Sequence, residues 1–306
     1  MFQDVKRILL LAALLVLIPG AGAATVRSVT APAPVSALAG DGTRIAYATG
    51  FSARDCNRVY VWNTTAGGVT KLGRKTHCEQ TSTGNAIGSV AIAGNRVLWV
   101  HYAGGNLREW SLWTATTARP SPVRLRRVTR DADAPAPIVL GEGTSSRLGD
   151  ILPYAVDRSV VALRVNGARG FSWTAPGRVV ALAANGGELA VASEGGVVTV
   201  LDSSGRVLRR ETYGSEIDVV RITGDSLAVQ RGRTLEIRGG RIAIYSLIAG
   251  KVLADAEGGR AALVGGGQVN TFDLDSGRAG VAAPGSLASL EGSRLAIASG
   301  RTVSVR

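Results

Sequence analysis

Reactive and metal-binding side chains are scarce in this sequence. Its 306 residues include two cysteines, two histidines and one methionine, and aromatic residues make up 5%. Neither His77 nor His101 has a second histidine at ligand spacing, so a histidine-rich metal centre is excluded. HExxH, CxxC, GxSxG and a glycine-rich phosphate loop are all missing. The sequence thus offers no catalytic residue, no metal ligands and no cofactor motif. Lysine is nearly absent too: arginine supplies 31 of the 35 basic residues. Net charge is +12, but the arginines are scattered, with their densest run at Arg124, Arg126, Arg127 and Arg130. That distribution does not indicate specific nucleic-acid binding. It reads as the habit of a GC-rich genome, with mild attraction to anionic envelope polymers.

The apolar run near the N-terminus, residues 8–18, is only eleven residues long. A spanning helix needs about 20. Lys6 and Arg7 precede the run, Pro19 and Gly20 break it, and Ala21-Gly22-Ala23 follow. This order predicts a secretory signal peptide over residues 1–23, cleaved after Ala23. No cysteine follows the small residues, which argues against a lipid anchor. Residues 24–306 are then a single secreted or envelope domain of charge +11, with no transmembrane segment.

Glycine is abundant at 40 residues, about twice its usual share. One phrase recurs, two short apolar strands around a glycine turn. It is found at 38–48, 92–100, 182–192, 222–229, 256–264 and 290–298, with turn glycines Gly40, Gly94, Gly186, Gly224, Gly258 and Gly292. The long gap between the second and third copies predicts a divergent one, and 154–165 has the right shape. Alternating strands broken by Asp, Asn, Ser and Gly follow at 59–69, 197–207 and 268–279. Each unit is therefore a four-stranded antiparallel meander of roughly 40 residues, the length of a propeller blade.

Small residues in the first strand of each unit (Ala91, Ala93, Ala181, Ala183, Ala288) suit a crowded channel. Val97, Leu98, Trp99 and Val100 run together without alternation, as expected when both faces of a blade are buried. The fold expected is all-β, a seven-bladed β-propeller of four-stranded antiparallel blades. The last unit, 286–306, has room for three strands, so residues 24–36 are expected to close the ring as its outer strand. Val26 and Val29 are expected to be buried by that pairing.

The segment 197–211, VVTVLDSSGRVLRRE, and its relatives resemble secreted propellers of the WD40-like and quinoprotein-like superfamilies. The resemblance spans nearly all of residues 24–306 as a loose repeat pattern. The Trp-Asp dipeptide of WD repeats is absent, and so is the Trp-bearing docking motif of quinoprotein blades. It implies a fold and no activity.

Two cysteines in an exported chain read as one disulfide, Cys56–Cys78. In a meander ring, loops between second and third strands share a face with blade-to-blade connections. Cys56 falls in the former and Cys78 in the latter. The same face should carry Arg54, Asp55, His77, Glu79 and a long connection at 128–149 that includes Arg130, Asp131 and Asp133. These seven residues are the candidate ligand-binding set. Four of five tryptophans lie early, at Trp62, Trp99, Trp110 and Trp113, and are expected to pack between blades rather than serve as sugar platforms. The expected function is a monomeric, non-catalytic binding scaffold for a protein or envelope polymer. The alternative is a polysaccharide hydrolase or lyase with carboxylates clustered at the channel mouth.

Overall fold

The computed structural model describes residues 26–306 apart from 52–54, 74–75, 79–80, 82–83 and 147–148. The expected signal peptide, Arg54 and Glu79 lie outside the described residues. Every regular element among those described is a strand, and the strands form seven antiparallel sheets.

Blade 1 comprises Val35–Asp41, Arg44–Thr49, Val59–Asn63 and Val69–Leu72. Blade 2 comprises Asn85–Ala93, Arg96–Gly104, Leu107–Thr116 and Val123–Asp131. Blade 3 has an inner strand in two pieces, Ile138–Leu140 and Thr144–Ser146, followed by Gly149–Val156, Ser159–Leu163 and Arg169–Thr174. Blade 4 comprises Val179–Asn185, Glu188–Ser193, Val197–Leu201 and Val207–Thr212. Blade 5 comprises Val219–Thr223, Ser226–Arg231, Thr234–Arg238 and Ile242–Ser246. Blade 6 comprises Val252–Glu257, Arg260–Gly265, Gln268–Asp273 and Ala279–Pro284. Blade 7 comprises Leu287–Glu291, Arg294–Ser299, Thr302–Val305 and, on its outer edge, Arg27–Thr30.

The core is a ring of interfaces. Seven buried apolar clusters occur among the described residues, one between each successive pair of blades and one between blades 7 and 1. Each inner blade strand feeds two clusters. Ala46 and Ala48 pack toward blade 2, whereas Ile45 and Tyr47, on the opposite strand face, pack toward blade 7. Val97, Leu98, Trp99 and Val100 are all buried for the same reason, which explains their unbroken apolar run. The five predicted channel alanines are buried as well. All five tryptophans pack into inter-blade clusters.

Six blades turn between their first and second strands through a two-residue hairpin whose first residue is a glycine with φ of 55–59°. Such primed turns match strand twist and need a left-handed residue at that position. In blade 1 this glycine is Gly42 and not Gly40. Gly40 lies within the strand, where a Cβ would meet Glu291 Cγ at 2.9 Å. Its role is to let the inner strands of blades 1 and 7 approach.

Blade 3 departs from expectation in two ways. The segment 154–165 is not its first strand pair but spans its second and third strands, turning at Asp157-Arg158. Asp157, at φ 53°, replaces the usual glycine there. The expected long connection at 128–149 is mostly structured. Its first residues end the outer strand of blade 2, and its last supply the inner strand of blade 3. Polar and proline residues hid that strand, which is interrupted at Gly141-Glu142-Gly143.

Ring closure follows the predicted route over a shorter span. Arg27 pairs with Val305 and Thr30 with Thr302. Val29 packs against the cluster between blades 7 and 1, but Val26 is 54% exposed, contrary to expectation. Val35 and Ser36 already belong to blade 1.

Candidate binding site between blades 1 and 2

The Cys56–Cys78 disulfide forms as predicted, with Cα atoms 4.8 Å apart. It ties the loop between the second and third strands of blade 1 to the connection entering blade 2. Asp55 stands beside it and accepts hydrogen bonds from Tyr60 Oη at 2.9 Å, Lys71 Nζ at 3.0 Å and the Asn57 amide at 3.0 Å. Burial pushes its carboxyl pKa up, but these bonds outweigh burial and hold it below the usual value.

His77 is not a surface residue: it is 1% exposed. Its Nε2 accepts the Trp99 indole N–H at 2.8 Å, and its ring stacks on His101 with centroids 4.1 Å apart. Burial, the second histidine and Arg58 together depress the pKa of His77 to about 2. Burial and Arg58 depress that of His101 to about 4. Both rings are neutral at physiological pH and pin the connection to blade 2. Arg130 pairs with Asp157 at 2.9 Å, while Asp131 and Asp133 are exposed at the start of the connection to blade 3. Arg130, Asp131 and Asp133 therefore sit on the expected face but are not part of the cavity described next.

Blade 2 has strands of nine or ten residues, against four to seven in blade 1. Its longer strands leave one sheet face uncovered by blade 1. Three rows of side chains cross that face. Trp99, Trp113 and Arg124 form one; His101, Ser111 and Arg127 the next; Ala103, Glu109 and Thr129 the third. Thr76 and Thr81, from the disulfide-tied connection, roof the space. The result is a wedge of about 440 Å³, within the size range of small-molecule sites.

Arg124 and Arg127 are three residues apart, a spacing that regular alternation would send to opposite faces. A register shift lets Arg126 oppose Leu112 and Arg124 oppose Trp113, so Leu125 is bulged and both guanidiniums reach the wedge. Glu109 pairs with Arg127 and lies 3.8 Å from Arg124. Arg124 also lies over the Trp113 ring, 5.7 Å from its centroid. The sequence shows the arginine run but points to only its last member, Arg130, as a site residue. The bulge that gathers it is a backbone event with no glycine to announce it.

The sequence also missed a carboxylate cluster at the mouth of the central channel on the opposite face. Asp41, Glu257 and Glu291 occupy the same repeat position, immediately before the turn glycine, and Glu142 and Asp255 join them. Their shared position was a readable signal. Arg221 Nε lies 2.5 Å from Glu142 and 3.9 Å from Asp255. Burial raises the Glu142 pKa well above the ordinary value; Arg221 opposes this and Asp255, hydrogen-bonded to it, adds to it. Burial also lifts Glu291 to about 8, against the Gly42 amide that donates to it at 2.8 Å. The mouth encloses only about 50 Å³, room for ordered water rather than a sugar ring. Among the described residues no group of three or more His, Cys, Asp or Glu has the geometry to hold a metal ion.

No family model matches the chain, and no curated protein matches it. Solved structures do. A chain in the crystal structure of the mitotic checkpoint complex matches at TM-score 0.58 and 15% identity, over 91% of this chain and 93% of that one. Raptor from Chaetomium thermophilum matches at TM-score 0.59 and 14% identity, over 91% of this chain and 28% of that one. The chain shares with them the fold of a β-propeller, here of seven blades. At these identities the likeness is one of fold, so function must be argued from the propeller's own surface.

Proposed function

We propose that this propeller is an exported, non-catalytic interaction scaffold that holds a protein or envelope polymer on the face carrying the disulfide. The observation that carries the reading is the wedge beside blade 2. It is preformed, polar, lined by two gathered arginines and roofed by Thr76 and Thr81 on either side of the bridged Cys78. Export is supported by the signal-like N-terminus and by the disulfide, which persists in oxidising compartments. Among the described residues no helix is long and apolar enough to cross a membrane. Hydrogen exchange with and without a solubilised envelope fraction tests the docking face. Protection is expected at 101–113 and 123–131. Protection confined to the channel mouth, or none, would overturn the reading.

A second reading has its own observation. Glu142 and Asp255 share a hydrogen bond, and Glu291 is held protonated nearby, as paired carboxylates are in glycan hydrolysis. The small mouth weighs against it. Reducing ends released from envelope polysaccharides by the purified chain, and lost in Glu142→Gln, would establish it in place of the scaffold.

A further inference from the structure

We infer that the wedge takes a carboxylated sugar unit of an acidic polysaccharide, a reading that rests on the docking face proposed above. Arg124 and Arg127 project from one strand onto one face because Leu125 is bulged. Two guanidiniums side by side are a fork for a carboxylate. Glu109 orients them, and with Arg124 and Arg127 as the other charges in the lining the balance stays positive. His101, held at a pKa of about 4, adds no charge.

The rest of the lining suits hydroxyl groups. Thr76, Thr81, Ser111 and Thr129 bring hydroxyls, and Glu109 brings acceptor oxygens. Such a mixture of donors and acceptors around a cationic pair matches a ring that carries several hydroxyls and one carboxylate. A bare mineral anion would leave most of the 440 Å³ unfilled. The buried Trp113 Nε1 and Thr76 Oγ1 also have no hydrogen-bond partner among the described residues. Two lining residues therefore keep unmet polar atoms that a small shift of the wall would present to a ligand. Long-range attraction adds to this, because the chain carries 35 basic against 23 acidic residues.

Isothermal titration with an oligogalacturonide tests the inference, alongside a neutral oligoglucoside of equal length, inorganic phosphate and a glutamate-rich peptide. One-site binding of the uronate is expected, with the other three at least tenfold weaker. Arg124→Gln and Arg127→Gln should each weaken uronate binding by roughly ten- to a hundredfold, the worth of a charge-assisted contact. Arg241→Gln, whose partner Asp275 lies elsewhere on the ring, should leave it unchanged. Thermal melts of all three variants should match the parent, since each side chain is largely exposed. No uronate binding overturns the inference. So does equal binding of phosphate, peptide or neutral sugar, or an equal loss in the Arg241 variant. If envelope material still protects 101–113 and 123–131 while the uronate fails, the docking face stands and the sugar assignment falls.

Discussion

Replacing both cysteines, as Cys56→Ser with Cys78→Ser, isolates what the disulfide contributes. The bridge closes a loop across a separation of 22 residues. In the chain-entropy treatment, freeing that loop returns about 3 kcal/mol of conformational freedom to the unfolded chain. Native relaxation would reduce this penalty, but little is available. His77, inside the loop, stays locked by Trp99 and His101 whether or not the sulfurs are joined. Nearly all of the entropic cost should therefore survive. For a domain of this length, about 3 kcal/mol corresponds to a fall in melting temperature of roughly 5 °C. Scanning calorimetry of the parent with and without reductant, and of the double variant, measures it. Reductant should lower the parent to the variant's value and leave the variant unchanged. A parent indifferent to reductant would refute the pairing. A fall several times larger would show that the loop, and not the ring of clusters, carries the fold.

Deleting residues 26–31 removes the outer strand of blade 7 and uncovers Val303, which is fully buried in the intact ring. The shortened protein should melt lower or aggregate by size-exclusion chromatography; an equally stable monomer would contradict closure by this strand. Gly143→Ala places a Cβ 2.5 Å from Leu152 Cδ1 and against the Ile92 carbonyl, so a loss of about 1–3 kcal/mol in urea unfolding is expected. Gly68→Ala, with open space around it, should be neutral and serves as the control. Burial holds Glu291 near pKa 8 against an ordinary 4.5, so the folded chain keeps a proton that the unfolded chain releases. Its contribution therefore declines as pH rises from about 4.5 to 8, by at most about 5 kcal/mol, and urea unfolding of Glu291→Gln should show a flatter pH slope; an unchanged slope would refute this.

The architecture was legible because it is repeated. Turn glycines, inner-strand alanines and two-faced apolar runs recur with each blade, so one misread copy costs little. Blade 3 was misread where its inner strand carries prolines before it and Gly141-Glu142-Gly143 within it, a pattern that imitates a loop. The disulfide followed from the count of two cysteines in a chain read as exported, with the meander topology placing both on one face. The wedge did not, because it depends on strand length in blade 2 and on a bulge at Leu125, neither of which alters composition. His77 looked like a ligand candidate because it falls in the blade-to-blade connection on the face that carries the disulfide. The burial that disqualifies it comes from Trp99 and His101, more than twenty residues along the chain.

Blade 7 is assembled from both ends of the chain, with Arg27–Thr30 laid against Thr302–Val305. Synthesis runs from the N-terminus, so the first of these strands exists long before its partner. Blades 1 to 6 can form their hairpins in order as they emerge, each from local contacts. The last interface must wait for the final residues, and it joins the most distant segments in the molecule. Folding therefore ends with a slow, high-separation step. Until it occurs, two apolar edges stay open to other chains at the same stage. Circular permutation to new termini between blades 3 and 4 would make all four strands of blade 7 contiguous and shift the waiting step to another seam.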